Sequence, residues 1–204
     1  MVLVTLPAPN FTASAVLSDG SYTDKYNFKK NTHGKNTFLF FWPMDFTFVC
    51  PSELITLDKF YREFKRKNVE IIGVSCDSIF VHNAWRNTSP KEGGIGKVQY
   101  VMISDNKRQI QQAYGIEHPT LGVALRASFL IDHAGIVRHQ VVNDLPLGRN
   151  IHEMLRMVDA LKFHEEHGEV CPANWNVGKD GIQPTSQGIK NYLSKNFKNI
   201  KIDN

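Results

Sequence analysis

One junction in the sequence constrains the fold more than any other: an apolar run that passes through a short turn into an amphipathic helix. The run spans residues 37–42 and is dominated by aromatic side chains, which is typical of a buried strand. From Glu53 onward, apolar residues recur at helical spacing among charged ones. These apolar residues are Leu54, Leu57, Phe60 and Phe64. Cys50 lies between the two elements, so the sequence predicts a cysteine at the first turn of a helix.

The position of Cys50 favours a reactive thiolate. Backbone N–H groups and the positive end of the helix dipole point toward the first turn, and both stabilise a negatively charged sulfur. Pro51 suits this turn because its missing N–H would have no partner there. The alternative is that Cys50 is a small buried hydrophobic residue, as most free cysteines are. Two neighbours favour the reactive interpretation: Thr47 can offer a hydroxyl to a ligand held at the sulfur, and Pro43 can close off the site.

The pattern P-x-x-x-T-x-x-C, formed here by Pro43, Thr47 and Cys50, resembles the active-site signature of the peroxiredoxins. The longer run over residues 45–51 resembles the typical two-cysteine subfamily in particular. The resemblance continues over nearly the whole chain, from residue 7 to residue 193. It implies a thiol peroxidase in which Cys50 attacks hydrogen peroxide or an organic hydroperoxide and becomes a sulfenic acid.

The resemblance also assigns further site residues. Cys171, in a Val-Cys-Pro sequence that is followed by a Trp, matches the resolving cysteine, which forms a disulfide with Cys50 of a partner subunit. Arg126 matches the catalytic arginine, and Arg149 matches a second arginine that orients Glu53. The alternatives are that both arginines are ordinary surface charges and that Cys171 is an exposed thiol without a role.

The remaining segments predict an α/β fold. Near-continuous apolar strands alternate with helical segments, which favours parallel strands covered on both faces, and a hairpin is predicted around residues 133–135. Together with the resemblance, this pattern predicts a thioredoxin-like fold with a central mixed β-sheet flanked by helices. Residues 1–168 are predicted to form the peroxidase domain, and residues 169–204 a polar C-terminal arm that carries the second cysteine.

Composition excludes several functional classes. Of 204 residues, 42% are hydrophobic and 22% are charged, as in soluble globular proteins. No apolar run approaches the roughly 20 residues of a membrane-spanning helix, so no membrane association is expected. The net charge of +4 is small and the lysines are scattered, so no nucleic acid is expected as a partner.

Cysteine usage and charge bear on the cellular compartment. Three cysteines without short-range pairing do not resemble a secreted disulfide framework, so a reducing intracellular compartment is predicted. Cys76 has no motif around it and is expected to be a buried core residue. The isoelectric point of about 8.9 and the start of the domain close to Met1 favour a processed mitochondrial chain. The cytosol is the alternative.

No metal or organic cofactor is expected. His164 and His167 share one helical face, but a zinc site needs three or four ligands, and no further ligand stands at suitable spacing. The resemblance implies a thioredoxin-like electron donor and an obligate homodimer, often assembled as a decamer of five dimers. Two other classes stay open. A general thiol–disulfide oxidoreductase would normally show C-x-x-C at the helix start, and a holdase chaperone or redox relay would be a second role of the same protein.

Overall fold

The computed structural model describes residues 1–197. The chain divides into two compact units, Met1–Ile151 and a second unit that begins at His152. This boundary precedes the division at residues 168 and 169 that composition predicts. The predicted division at residues 168 and 169 marks the start of the arm that carries Cys171, and it stays a prediction.

A seven-stranded sheet forms the centre of the first unit. The strands are β1 (Thr12–Val16), β2 (Tyr22–Asn27), β3 (Asn36–Phe41), β4 (Val69–Ser75), β5 (Val101–Ser104), β6 (Arg126–Ile131) and β7 (Val137–Asn143). The helices of the described chain are α1 (Phe28–Thr32), α2 (Cys50–Lys59), α3 (Tyr61–Arg66), α4 (Ile79–Asn87), α5 (Gln109–Ala113), α6 (Ile151–His167) and α7 (Ser186–Asn196). Within residues 1–197, no helix is long and apolar enough to cross a bilayer.

The sheet is mixed, as the sequence predicts. Its strand order is β2-β1-β5-β4-β3-β6-β7. The three central strands β3, β4 and β5 are parallel, whereas β6 runs antiparallel beside β3 and β1 runs antiparallel beside β5. The parallel arrangement expected from the apolar strands therefore holds for the centre of the sheet, and hairpins supply both edges.

Strand β3 is buried on both faces, which explains its aromatic sequence. Phe38 packs against Phe64 with ring centroids 5.4 Å apart, and Phe40 packs edge-on against Tyr100 at 5.6 Å. The alternate residues of the strand, Leu39 and Phe41, join the core cluster on the opposite face together with Phe129 and Tyr114. No position of the strand from residue 37 onward faces solvent, so its carboxyl end is held rigidly where the chain turns toward Cys50.

Two features differ from the sequence-based expectation. The single helix predicted after Cys50 is divided into α2 and α3 at Phe60, whose φ of −89° and ψ of 0° interrupt the helical geometry. Helix α1 was not predicted, because five residues are too few to show a helical period. It forms because the Asn27 side chain caps it by accepting a hydrogen bond from the Lys30 N–H at 2.9 Å.

Candidate active site

The structure places Cys50 at the N-terminus of α2, as predicted. Residues 42–49 connect it to the end of β3, and Pro51 occupies the first turn of the helix. The helix begins with the Val49 carbonyl accepting from the N–H groups of Ser52 and Glu53. Cys50 is 0% exposed, so its sulfur is not in contact with bulk solvent in this conformation.

Thr47 lies directly beside the sulfur. Its Oγ1 is 2.8 Å from Cys50 Sγ and 2.9 Å from the Met44 carbonyl oxygen. The carbonyl can only accept a hydrogen bond, and the threonine hydroxyl has a single proton. When that proton is donated to Met44, the lone pairs of Oγ1 are left to accept a hydrogen bond from a ligand at the sulfur.

Arg126 supplies a positive charge beside the sulfur. It begins β6, which pairs with β3 such that Ser128 lies opposite Phe40. This pairing brings Arg126 to the sheet edge where β3 leads toward Cys50. Arg126 Nη1 is 3.2 Å from Sγ of Cys50, and its Nε donates to the Leu145 carbonyl at 2.6 Å. The structure thus brings the predicted arginine to the predicted cysteine.

Glu53 connects the two predicted arginines. Its Oε2 lies 2.9 Å from Arg126 Nη1 and 2.8 Å from Arg149 Nη1, and its Oε1 accepts the backbone N–H of Arg149 at 2.9 Å. Two guanidinium groups therefore share one carboxylate, and all three side chains are buried. One positive charge of the cluster is therefore left without a carboxylate partner, and it lies beside the Cys50 sulfur.

Arg149 is fixed by several further contacts. Its Nε donates to Ser128 Oγ at 2.9 Å, its Nη2 donates to the carbonyls of Phe41 and Ala127, and its guanidinium lies over the Phe40 ring. Burial lowers the pKa of Arg149, while the Glu53 carboxylate opposes that shift. Arg149 contacts Glu53 through both its side chain and its backbone N–H, and its supporting role stays a prediction.

Pro43 is buried at the start of the loop that carries Thr47. Its carbonyl accepts a hydrogen bond from the Cys76 thiol at 3.3 Å. Cys76 is only partly buried, at the end of β4, so the expectation of a core residue is not met. Burial, with a contribution from Asp77, raises the pKa of Cys76 to about 11, so this thiol is protonated at neutral pH.

Cys171 lies in the second unit. It is a partly buried free thiol whose sulfur contacts the Ala160 carbonyl of α6 at 3.5 Å. Burial raises the pKa of Cys171, while the charge of Arg156 opposes the rise. Arg156 also donates to the carbonyl of Trp175 at 2.9 Å, and the Trp175 ring packs against Phe163. The segment that follows Cys171 is thereby tied to α6.

The two histidines near the end of α6, His164 and His167, each face a backbone carbonyl. His164 Nδ1 is 2.8 Å from the Glu169 oxygen, and His167 Nδ1 is 3.0 Å from the Phe163 oxygen. The His167 ring also stacks on Phe163. Each imidazole therefore uses one ring nitrogen within the second unit.

Sequence reasoning missed the backbone groups and buried polar side chains that support the site. The carbonyls of Met44 and Leu145 orient Thr47 and Arg126, yet a carbonyl carries no sequence signal. Ser128 could have been noticed, because it is a polar residue among the apolar residues that follow Arg126 in β6.

Comparison with known proteins identifies the family. The sequence profile of the AhpC/TSA family matches residues 4–140. The chain belongs to this family. A second profile, described as the C-terminal domain of 1-Cys peroxiredoxin, matches residues 160–195, the segment that contains Cys171.

Individual relatives agree with this assignment. The alkyl hydroperoxide reductase C of Buchnera aphidicola from Acyrthosiphon pisum is 61% identical over 96% of this chain and 99% of its own length. Peroxiredoxin-1 of Gallus gallus is 48% identical, over 93% of this chain and 94% of its own. The reduced 2-Cys peroxiredoxin of Plasmodium vivax superposes with a TM-score of 0.91 at 44% identity, covering 95% of this chain and 100% of that one. The predicted peroxiredoxin resemblance and thioredoxin-like fold are confirmed.

Proposed function

We propose that this chain is a two-cysteine thiol peroxidase that reduces hydrogen peroxide and alkyl hydroperoxides at Cys50. The observation that carries the proposal is the convergence of Thr47 Oγ1 and Arg126 Nη1 on one buried sulfur, at 2.8 Å and 3.2 Å. A hydroxyl and a cation that both lie within hydrogen-bond distance of one sulfur can hold the two linked oxygen atoms of a peroxide. The chain's membership of the AhpC/TSA family and the names of its relatives support a peroxide as substrate.

In the first step, an electron pair of the Cys50 thiolate forms a bond to the terminal peroxide oxygen. The O–O bond breaks, and the leaving oxygen takes a proton to become water or an alcohol. Sulfur is oxidised to the sulfenic acid while the peroxide is reduced. Thr47 and Arg126 hold the two oxygens in line and stabilise the negative charge that develops between them. Glu53 and Arg149 fix the orientation of Arg126, and Pro43 shields the sulfenate.

In the second step, Cys171 of the partner subunit attacks the Cys50 sulfenic acid, a disulfide forms and water leaves. Because the Cys50 side chain is fully buried, the first turn of α2 must open before the second sulfur can reach it. The family profile that matches residues 160–195 is named for the 1-Cys peroxiredoxins. The matched segment of this chain nevertheless contains a second free cysteine, Cys171. That thiol supports the two-cysteine cycle.

A thioredoxin-like dithiol would complete the cycle by thiol–disulfide exchange. The proposed assembly is a homodimer, in a decamer of five dimers, because a resolving cysteine from the partner requires at least two subunits. The mitochondrion remains the proposed compartment, on the basis of the basic isoelectric point, with the cytosol as the alternative. Imaging of the tagged precursor in cells tests the compartment.

A stoichiometric reaction tests the peroxidase proposal. The reduced native chain, Cys50→Ser and the matched control Cys76→Ser each receive one equivalent of hydrogen peroxide, and the remaining peroxide is measured over time. We expect the native chain and Cys76→Ser to consume the equivalent rapidly and Cys50→Ser to consume none. With dimedone present, a Cys171→Ser chain should carry the adduct at Cys50. Peroxide consumption by Cys50→Ser at the native rate would overturn the proposal.

A further inference from the structure

A buried carboxylate–imidazole pair lies beneath the loop that carries Thr47. The Asp45 and His82 side chains are both 0% exposed, and His82 Nδ1 is 2.7 Å from Asp45 Oδ2. The other carboxylate oxygen, Oδ1, accepts from the Trp42 indole N–H at 2.8 Å. The second ring nitrogen of His82, Nε2, lies 3.2 Å from the Ile103 carbonyl oxygen. The pair therefore connects the end of β3, helix α4 and strand β5.

The hydrogen-bond partners define where the protons lie. The Ile103 carbonyl can only accept, so His82 Nε2 carries a proton and donates it. One further proton lies between Nδ1 and Asp45 Oδ2, whether it resides on the imidazole or on the carboxyl group. Burial raises the pKa of Asp45, and the contacts with His82 and Trp42 oppose that rise. In both protonation states the hydrogen bond between Asp45 and His82 is retained.

The same loop is held in an unusual backbone conformation. Phe46 follows Asp45 and has a φ of +53°, which is unfavourable for a residue with a side chain. Its ring packs against Trp85 of α4 at 5.8 Å, one helical turn beyond His82. The backbone N–H of Asp45 donates to Asp77 at 2.8 Å. Helix α4 thus holds the loop at two points, immediately before Thr47.

We propose that His82, through its hydrogen bond to Asp45, is a positioning residue that holds Thr47 at the distance from Cys50 at which peroxide is reduced. This inference rests on the proposed peroxidase function and deepens it. Loss of the hydrogen bond from His82 would leave a buried carboxyl oxygen of Asp45 without its partner, which is unfavourable, and Asp45 would turn or recruit water. Thr47 is two residues away, and a displacement of about 1 Å at a reacting group lowers a rate by about 100-fold.

The competing interpretation is that His82 is an ordinary core residue. A core residue stabilises the fold as a whole, so its replacement would change all reactions of Cys50 alike. A positioning residue affects the reaction that uses Thr47 and leaves the intrinsic reactivity of the thiolate unchanged. Two electrophiles distinguish these cases: hydrogen peroxide, whose reduction uses the Thr47 hydroxyl, and iodoacetamide, whose reaction requires only the thiolate.

Two substitutions of His82 separate its two contacts. In His82→Asn the side-chain amide occupies the place of Nδ1 and can donate to Asp45. In His82→Gln the amide reaches the place of Nε2 and can donate to Ile103, but Asp45 loses its partner. His133→Gln, on the exposed turn between β6 and β7, is the matched control for the chemical change. All variants keep Cys50, Cys76 and Cys171. The reactions are measured on the reduced proteins at the same pH and at a temperature well below the melting temperature of each protein.

We expect His82→Gln to react with peroxide about 100-fold more slowly than the native chain while its alkylation rate at Cys50 changes less than about threefold. His82→Asn should recover most of the peroxide rate, and His133→Gln should match the native chain. Equal losses in both reactions, or no loss in the peroxide reaction, would overturn the positioning role.

If His82→Gln does not fold, Trp42→Phe replaces it, because this change removes the hydrogen-bond donor to the other Asp45 oxygen. The rates of the peroxide reaction and of alkylation are then compared in the same way. If the native chain reacts with hydrogen peroxide no faster than Cys50→Ser does, the proposed peroxidase function itself is overturned. This result differs from failure of the positioning role, in which the native chain still reduces peroxide rapidly.

Discussion

At the scale of single residues, the site is a balance of charges around one sulfur. Arg126 and Arg149 share the Glu53 carboxylate, so one positive charge remains for Cys50. The Thr47 hydroxyl lies 2.8 Å from the sulfur and 2.9 Å from the Met44 carbonyl, which can accept its proton. The proposed roles of the Thr47 hydroxyl and of the arginine charge can be tested separately, because they belong to different side chains.

Thr47→Val removes the hydroxyl and retains the shape of the side chain. We expect the rate constant for peroxide reduction to fall by about 100-fold, since removal of one group that orients a reacting oxygen costs about 10²–10³ in rate. Thr47→Ser retains a hydroxyl and should keep most of the rate. Stopped-flow measurement with hydrogen peroxide checks both. A Thr47→Val protein that reacts at the native rate would show that the hydroxyl takes no part.

The raised pKa of Cys76 predicts a pH dependence. With a pKa of about 11, its thiolate fraction at pH 8 is about one in a thousand. In a chain with Cys50→Ser and Cys171→Ser, alkylation of Cys76 by iodoacetamide should rise about tenfold per pH unit up to about pH 11. The same chain unfolded in urea should react much faster at pH 8, because an exposed cysteine has a pKa of about 8.5. Equal rates in the folded and unfolded chains at pH 8 would contradict this account.

At the scale of elements, the sequence pattern predicted those segments whose period or apolar character is strong. The strand predicted over residues 37–42 is β3, within one residue, and the hairpin predicted around residues 133–135 joins β6 and β7. The break at Phe60 was missed because the apolar spacing continues across it into α3. The strand order could not be derived from periodicity, since pairing depends on which apolar faces meet in space.

Strand β4 contains a position that tolerates only glycine. A Cβ atom on Gly73 would lie 2.7 Å from ring atoms of both Phe40 and Trp42. Gly73→Ala should therefore lower the free energy of unfolding by about 1–3 kcal/mol, as expected for overpacking of a core. Urea denaturation measures this loss. In a chain that also carries Phe40→Leu, the loss of unfolding free energy should be smaller than the sum of the two single losses. If the two losses simply add, the Phe40 ring does not cause the strain.

At the scale of the whole molecule, the site draws on residues that are far apart in sequence. The local motif around Cys50 identified Pro43 and Thr47, while Arg126 and Arg149 were selected only by resemblance to a family. The contact of His82 with Asp45 spans 37 positions, and periodicity shows only that His82 and Trp85 share a helical face. Such contacts depend on the tertiary fold, so the sequence of one chain cannot reveal them.

The proposed disulfide between Cys50 and Cys171 of two subunits leads to a prediction about assembly. Cys50→Ser and Cys171→Ser chains are mixed, dissociated and allowed to reassociate before exposure to peroxide. The mixed sample should form covalent dimers, with one disulfide between the two kinds of chain, while neither variant alone should form this bond. Non-reducing electrophoresis and mass spectrometry of the joined peptides measure the outcome. A native chain that forms its disulfide within a single subunit would contradict the proposed arrangement.

The central claim is that Cys50 reduces peroxide and that Cys171 returns it to the catalytic cycle. The most direct test is thioredoxin-coupled consumption of hydrogen peroxide by the native chain, Cys50→Ser and Cys171→Ser. The account predicts continuous turnover by the native chain, no turnover by Cys50→Ser, and a single equivalent consumed by Cys171→Ser. Sustained turnover by Cys171→Ser would remove its role as the resolving residue, and turnover by Cys50→Ser would contradict the central claim.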